Sequence, residues 1–161
     1  MIKVLGIDPG LAGTGIGVVQ GHNRDIIGYS FGSIATDPKD STPSRLNIIY
    51  SKIMDFLRDQ EPDFVMIEDI YSLEKYPGSG IMLGKVSGVL LLAAFRAGVS
   101  VEEIPVREVK KVISGNGSAD KFQVERSVRN ILNHPDRIRP FHASDALGLA
   151  LTGYYRHRKT L

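Results

Sequence analysis

Near the start of the chain an apolar run ends abruptly in a carboxylate, and the arrangement recurs mid-chain. Val4-Leu5-Gly6-Ile7-Asp8, followed by Pro9-Gly10, reads as a buried strand stopped by a turn, which puts Asp8 at the rim of a sheet's core. Phe64-Val65-Met66-Ile67-Glu68 repeats the pattern. Between the two runs Leu46, Ile49, Ile53, Phe56 and Leu57 recur at helical spacing, which predicts a helix over 42–60 with Ser41 or Thr42 as cap and Pro43 in its first turn. Strands joined through a helix pair in parallel, and parallel strands end on one rim, so the two acids are expected side by side. A buried carboxylate there needs a cation, a hydrogen-bonding partner or a proton.

The remaining elements fit one α/β layout. Residues 13–19 and 26–34 read as two strands joined by Gly21-His22-Asn23, which with the first strand makes a three-stranded antiparallel meander. Their many glycines lower strand propensity and are expected to permit close backbone approach to a ligand. A loop over 68–80 leads to a helix over 81–97 that is apolar nearly all round. Such a helix must be covered by more than one neighbour, as the middle of a sandwich or as a subunit interface, and both remain open. A strand over 99–104 and a short helix over 106–113 follow; Ser114-Gly115-Asn116-Gly117 ends that helix and Ser118 is placed to cap the next, over 119–132. After the proline-bracketed stretch 134–140, a last helix over 141–157 turns Leu147, Leu151 and Tyr154 inward. Without a linker or repeat, residues 1–161 are expected to form a single domain.

Composition narrows the setting. The chain holds no cysteine, which excludes disulfides and thiolate metal sites and fits a reducing compartment. Met1-Ile2-Lys3 enters the first strand without a signal-peptide pattern, and the longest apolar stretch, 89–95, is short for a bilayer, so a cytoplasmic location away from membranes is expected. Residues 1–106 carry 9 Lys and Arg against 13 Asp and Glu, a net −4, whereas residues 107–161 carry 11 against 5, a net +6. A basic third of this kind suits a polyanion such as nucleic acid, or simply a solvated surface.

On the last helix His142 and Asp145 lie three apart, on one face near its amino end, among the small residues Ala143, Ser144 and Ala146. Small neighbours let a helix end press on a sheet rim. The expected constellation is Asp8 and Glu68 from two strand ends with His142 and Asp145 from the helix. Three neighbouring carboxylates raise one another's pKa unless a cation compensates. Carboxylate ligands suit Mg²⁺ or Mn²⁺, the imidazole tilting toward Mn²⁺, and a pair of such ions can serve phosphodiester hydrolysis.

Leu5-Gly6-Ile7-Asp8-Pro9-Gly10, Ile67-Glu68, Gly115-Asn116-Gly117-Ser118-Ala119-Asp120-Lys121 and His142-Ala143-Ser144-Asp145-Ala146-Leu147 resemble, in order and spacing, the RuvC family of Holliday-junction resolvases. The resemblance covers nearly the whole chain. It implies a ribonuclease-H-like fold with a five-stranded mixed sheet flanked by helices, acting as a homodimer on four-way DNA junctions. It further implies Asp8, Glu68, His142 and Asp145 as catalytic and metal-binding residues, with about two Mg²⁺ per subunit or Mn²⁺ instead, and nicks bearing 5′-phosphate and 3′-hydroxyl ends. Many family members carry Asp where this chain has His142, while others carry His. Tyr71 matches a family aromatic that stacks on a junction base, and Lys110 and Lys121 match lysines at the DNA backbone, with Lys85 a further DNA-binding candidate. The branch-migration proteins RuvA and RuvB are the implied partners. Against this stand an actin-like nucleotide phosphotransferase, a related nuclease acting on structured RNA, and a junction-binding module without catalysis. The first lacks room for a second lobe and lacks a P-loop, since Val86 follows Lys85 where Ser or Thr is required.

Overall fold

The computed structural model describes residues 1–70 and 77–158. Five strands, β1 (Ile2–Asp8), β2 (Gly13–His22), β3 (Asp25–Ala35), β4 (Phe64–Asp69) and β5 (Ser100–Pro105), form one sheet in the order β3-β2-β1-β4-β5. β1, β2 and β3 make the antiparallel meander, and β4 and β5 extend it in parallel. Helices α1 (Thr42–Gln60) and α2 (Pro77–Arg96) cover one face, and α3 (Val106–Ser114), α4 (Lys121–Ile131) and α5 (Phe141–His157) the other.

Strand alternation decides which side chains meet which layer. Leu5 and Ile7 of β1, Ile16 and Val18 of β2, and Val65 and Ile67 of β4 pack with Ile49, Ile53, Val86 and Leu90 under α1 and α2. Val4, Val19 and Met66 point the other way and pack with Leu147, Leu151 and Tyr154 of α5. Asp8 shares the parity of Val4, and Glu68 that of Met66, so both acids fall on the α5 face.

The glycines expected to approach a ligand approach a helix instead. A Cβ on Gly17 would lie 2.5 Å from the Leu147 nitrogen, one on Gly6 2.6 Å from the Ala150 nitrogen, and one on Gly15 2.9 Å from the His142 Cβ. Gly6 pairs with Gly17 and Asp8 with Gly15 across the β1–β2 ladder, so the glycines form a trough in which the α5 backbone lies. Ala143, Ala146 and Ala150 are the matching small residues of α5, all fully buried.

Local signals explain the other boundaries. Ser41 caps α1 through its Oγ, which accepts from the Ser44 amide at 3.4 Å, with Pro43 inside the first turn. α3 ends on Gly115 at φ 76°, a left-handed position that glycine takes without strain. Two expectations shift. The cap of α4 is Asp120 rather than Ser118: Asp120 Oδ1 accepts from the Phe122 and Gln123 amides while Gln123 Oε1 accepts from the Asp120 amide. The Ser118 amide is turned instead toward Asn116 Oδ1 at 2.9 Å. Helix α2 starts at Pro77, ahead of the expected residue 81, proline being tolerated in a first turn.

Helix α2 is long and apolar enough, by length and composition, to cross a membrane. Its Val86, Leu90, Ala93 and Ala94 nevertheless lie in the core with α1 and the sheet. Among the described residues its other side is open: Ile81, Leu92 and Phe95 are exposed, and nothing lies within 4 Å of a Cβ built on Gly84 or Gly88.

Candidate active site

Four side chains from three distant stretches of the chain converge where β1 and β4 end. Asp8 lies one step past the Ile7–Ile67 pair of the parallel ladder, beside Glu68. The trough of glycines delivers the amino end of α5 over this rim, and the His142 Nδ1 comes to 2.8 Å from Asp8 Oδ2. Asp145, one helical turn deeper, faces the same space. A cavity of about 260 Å³ is lined by these four residues together with Lys110 of α3 and Lys121 of α4. Val106, Val109, Val124 and Leu149 supply its apolar wall.

The carboxylates disturb one another as their packing requires. Burial, then the charges of Asp8 and Asp145, push Glu68 up to about 8, with Lys110 opposing. Burial and the Asp8 charge raise Asp145 to about 6, against the pull of His142, Lys110 and Lys121. His142 is raised chiefly by its hydrogen bond to Asp8, with the charges of Asp8, Asp145 and Glu68 adding to it against partial burial. Like-charged acids in a shared low-dielectric pocket hold protons that a cation would displace.

Among the described residues no three His, Asp or Glu side chains are grouped closely enough to hold a metal ion as they stand, and Asp8 Oδ2 is engaged by His142. The donor chemistry nevertheless fits a hard divalent cation. Three carboxylates meet in one cavity, and burial together with the charge of neighbouring acids raises two of them above their ordinary range.

Of the residues singled out from the sequence, Asp8, Glu68, His142, Asp145, Lys110 and Lys121 share this cavity. Lys85 does not: it is exposed on α2, on the opposite face of the sheet. Tyr71 lies outside the described residues. Arg129 is paired with the buried Glu125 at 3.2 Å. Sequence reading missed the supports of the Asp8 turn. Thr14, fully buried, donates its hydroxyl to the Gly10 carbonyl at 2.7 Å, and Arg45 Nε donates to Thr36 Oγ1 at 2.8 Å, Thr36 in turn bonding the Leu11 carbonyl. No single-residue signal marks these; the glycine parity at 13, 15 and 17 was the readable sign of a close neighbour on that face.

Sheet order, the acids at the rim and the helix laid across it define a protein of the ribonuclease-H-like class. The family model for "Crossover junction endodeoxyribonuclease RuvC" matches residues 4–153. A relative from Yersinia enterocolitica with that description is 36% identical over 161 residues, covering 100% of this chain and 91% of its own. The structure of Thermus thermophilus RuvC in complex with Holliday junction substrate superposes with a TM-score of 0.89 at 30% identity, over 99% of this chain and 97% of that one. The yeast mitochondrial Holliday junction resolvase, 11% identical with a TM-score of 0.64 over 99% of this chain and 82% of its own, shares the fold. The chain belongs to the RuvC family of crossover junction endodeoxyribonucleases, the Holliday-junction resolvases of DNA recombination and repair.

Proposed function

We propose that Asp8, Glu68, His142 and Asp145 form the metal-binding catalytic centre with which this chain, as a single nuclease domain over 1–161, nicks four-way DNA junctions. The observation that carries the reading is the convergence of three carboxylates, from β1, β4 and α5, with His142 on one cavity that also holds two lysines. Asp8, Glu68 and Asp145 would hold Mg²⁺, about two ions per subunit, with Mn²⁺ as the alternative that His142 favours. The bound ions supply Lewis acidity and activated water for hydrolysis of a phosphodiester. The chain's own groups do the rest. Lys110, half-buried, and Lys121, on the first turn of α4, offer donors to the phosphates flanking the cut, and the apolar wall of the cavity limits bulk water. His142, held by Asp8 through Nδ1, keeps its second ring nitrogen as ligand or proton acceptor.

The exposed face of α2 supports a homodimer. Ile81, Leu92 and Phe95 are apolar and open to solvent at 65%, 48% and 80%, and Gly84 and Gly88 between them let a second backbone come close. Two such subunits would address two strands of a junction symmetrically, in cytoplasm, with RuvA and RuvB as the expected companions. Lys85, on this face and away from the cavity, belongs to that surface rather than to the cut strand.

The deciding experiment compares four-way DNA, linear duplex DNA and duplex RNA, each with Mg²⁺ and with Mn²⁺. Selective nicking of the four-way DNA, abolished in Asp8→Asn while junction binding persists, is the expected result. Equal cutting of duplex RNA, or retained cleavage by Asp8→Asn, would contradict the assignment.

A further inference from the structure

Phe122 is a large apolar side chain left 54% exposed on the first turn of α4. The core does not need it, since α4 packs inward through Val124, Glu125 and Val128. Among the described residues its one ring partner is Phe141, met edge-to-face at a centroid distance of 5.2 Å and an interplanar angle of 87°. That contact leaves much of the Phe122 ring open to solvent. Two cations accompany the pair. Lys121 Nζ lies 5.4 Å from the Phe122 centroid and 4.8 Å from that of Phe141, and the exposed Arg139 places its guanidinium carbon 4.0 Å from the Phe141 centroid.

The patch adjoins the catalytic cavity. Lys121 lines that cavity, and Phe141 is followed directly by His142, which lines it too. An open aromatic ring flanked by cations is the composition that holds a nucleic-acid strand with a base out of its stack: the cations take the backbone and the ring takes the base. A continuous duplex offers no free base face, whereas bases at the branch point of a four-way junction can leave the stack.

Resting on the nuclease reading above, we propose that Phe122 stacks on an unpaired nucleobase of the DNA strand whose phosphates lie along Lys121 and Arg139. The contact binds substrate and performs no chemistry. It favours branched over continuous DNA, and it positions the strand next to the phosphate to be cut.

The test uses the full chain and a four-way junction carrying 5-iodouracil at the branch point, irradiated with Ca²⁺ in place of Mg²⁺ so that the complex stays uncut. Cross-linking to the peptide containing Phe122 is expected. Phe122→Leu keeps apolar bulk without the ring: with an unchanged melting temperature it should lose about ten-fold in junction affinity and nothing in duplex affinity, and Phe122→Tyr should restore binding. Ile27→Ala, which trims another exposed apolar side chain, at 58%, should bind the junction as wild type does. The proposal is overturned if wild-type protein cuts the junction in Mg²⁺, cross-links only elsewhere, and Phe122→Leu binds as tightly. Cross-linking at Phe122 by a wild-type chain that never cuts would instead overturn the nuclease reading and leave the stacking contact standing.

Discussion

Replacing Gly15 by alanine isolates the packing that assembles the site. Gly15 lies within β2, where extended backbone accepts alanine, so any cost is steric. The new Cβ would lie 2.9 Å from the His142 Cβ and closer still to the His142 carbonyl, against an ordinary contact of ~3.5–4 Å. The amino end of α5 must therefore retreat by about 1 Å, because the strand is held on both sides by β1 and β3. Overpacking of this kind costs ~1–3 kcal/mol, or roughly 3–10 °C in melting temperature for a chain of this size. The same retreat carries His142 and Asp145 off Asp8 and Glu68, and misplacement by about 1 Å costs ~100-fold in rate. The assay is junction nicking under single-turnover conditions, well below the melting temperature, so that the rate reports placement rather than unfolding. Gly28→Ala is the comparison, since among the described residues nothing lies within 4 Å of its Cβ, and it should leave rate and stability unchanged. Equal melting temperature and equal nicking rate in Gly15→Ala and wild type would refute the claim that the trough positions the helix.

Two further outcomes follow from the same contacts. In metal-free protein the folded state keeps Glu68 protonated up to about 8 and Asp145 up to about 6, against ordinary values of 4.5 and 3.8. The folded chain therefore binds more protons than the unfolded one between those limits, and stability falls as pH rises through them. His142, whose folded pKa is also raised, acts in the same sense. Saturating Mg²⁺ should consequently raise the melting temperature more at pH 8 than at pH 6; an equal rise at both would separate the ion from these acids. Glu125, only 4% exposed, accepts from the Ile138 amide at 2.9 Å and pairs with Arg129, tying α4 to the segment that leads into α5. Glu125→Ala should destabilise by ~2–3 kcal/mol in urea unfolding while Glu125→Gln, which keeps an acceptor for Ile138, loses clearly less; equal losses would contradict the latch.

The sheet was legible because both of its organising runs carry their meaning locally. Val4–Asp8 and Phe64–Glu68 are short, apolar and stopped by acids, and a helical period joins them, so parallel pairing and a shared rim follow from chain geometry. Asp145 and His142 were legible as a pair, through their spacing among alanines, and the family motifs tied them to the strand ends. The purpose of the glycines was not, since a trough for a helix and an approach for a ligand ask the same thing of β2, absence of Cβ. Only the register, with Gly6 opposite Gly17 and α5 lying across both, decides between them. The start of α4 was misplaced because Ser118 and Asp120 are both good caps; the reciprocal bond with Gln123 selects Asp120. Phe122 and Arg139 carried no signal along the chain, because their patch exists only where α4 and the start of α5 meet.

The proposed chemistry needs a single metal centre within reach of three chain-distant acids. The most direct measurement loads the protein with Fe²⁺ in place of Mg²⁺, adds ascorbate and peroxide, and maps where the locally generated radicals cut the backbone. Cuts clustered beside Asp8, beside Glu68 and between His142 and Asp145, all suppressed by excess Mg²⁺ and lost in Asp8→Asn, are the predicted result. Cuts confined to one of those segments, or unchanged by Asp8→Asn, would contradict a shared metal centre.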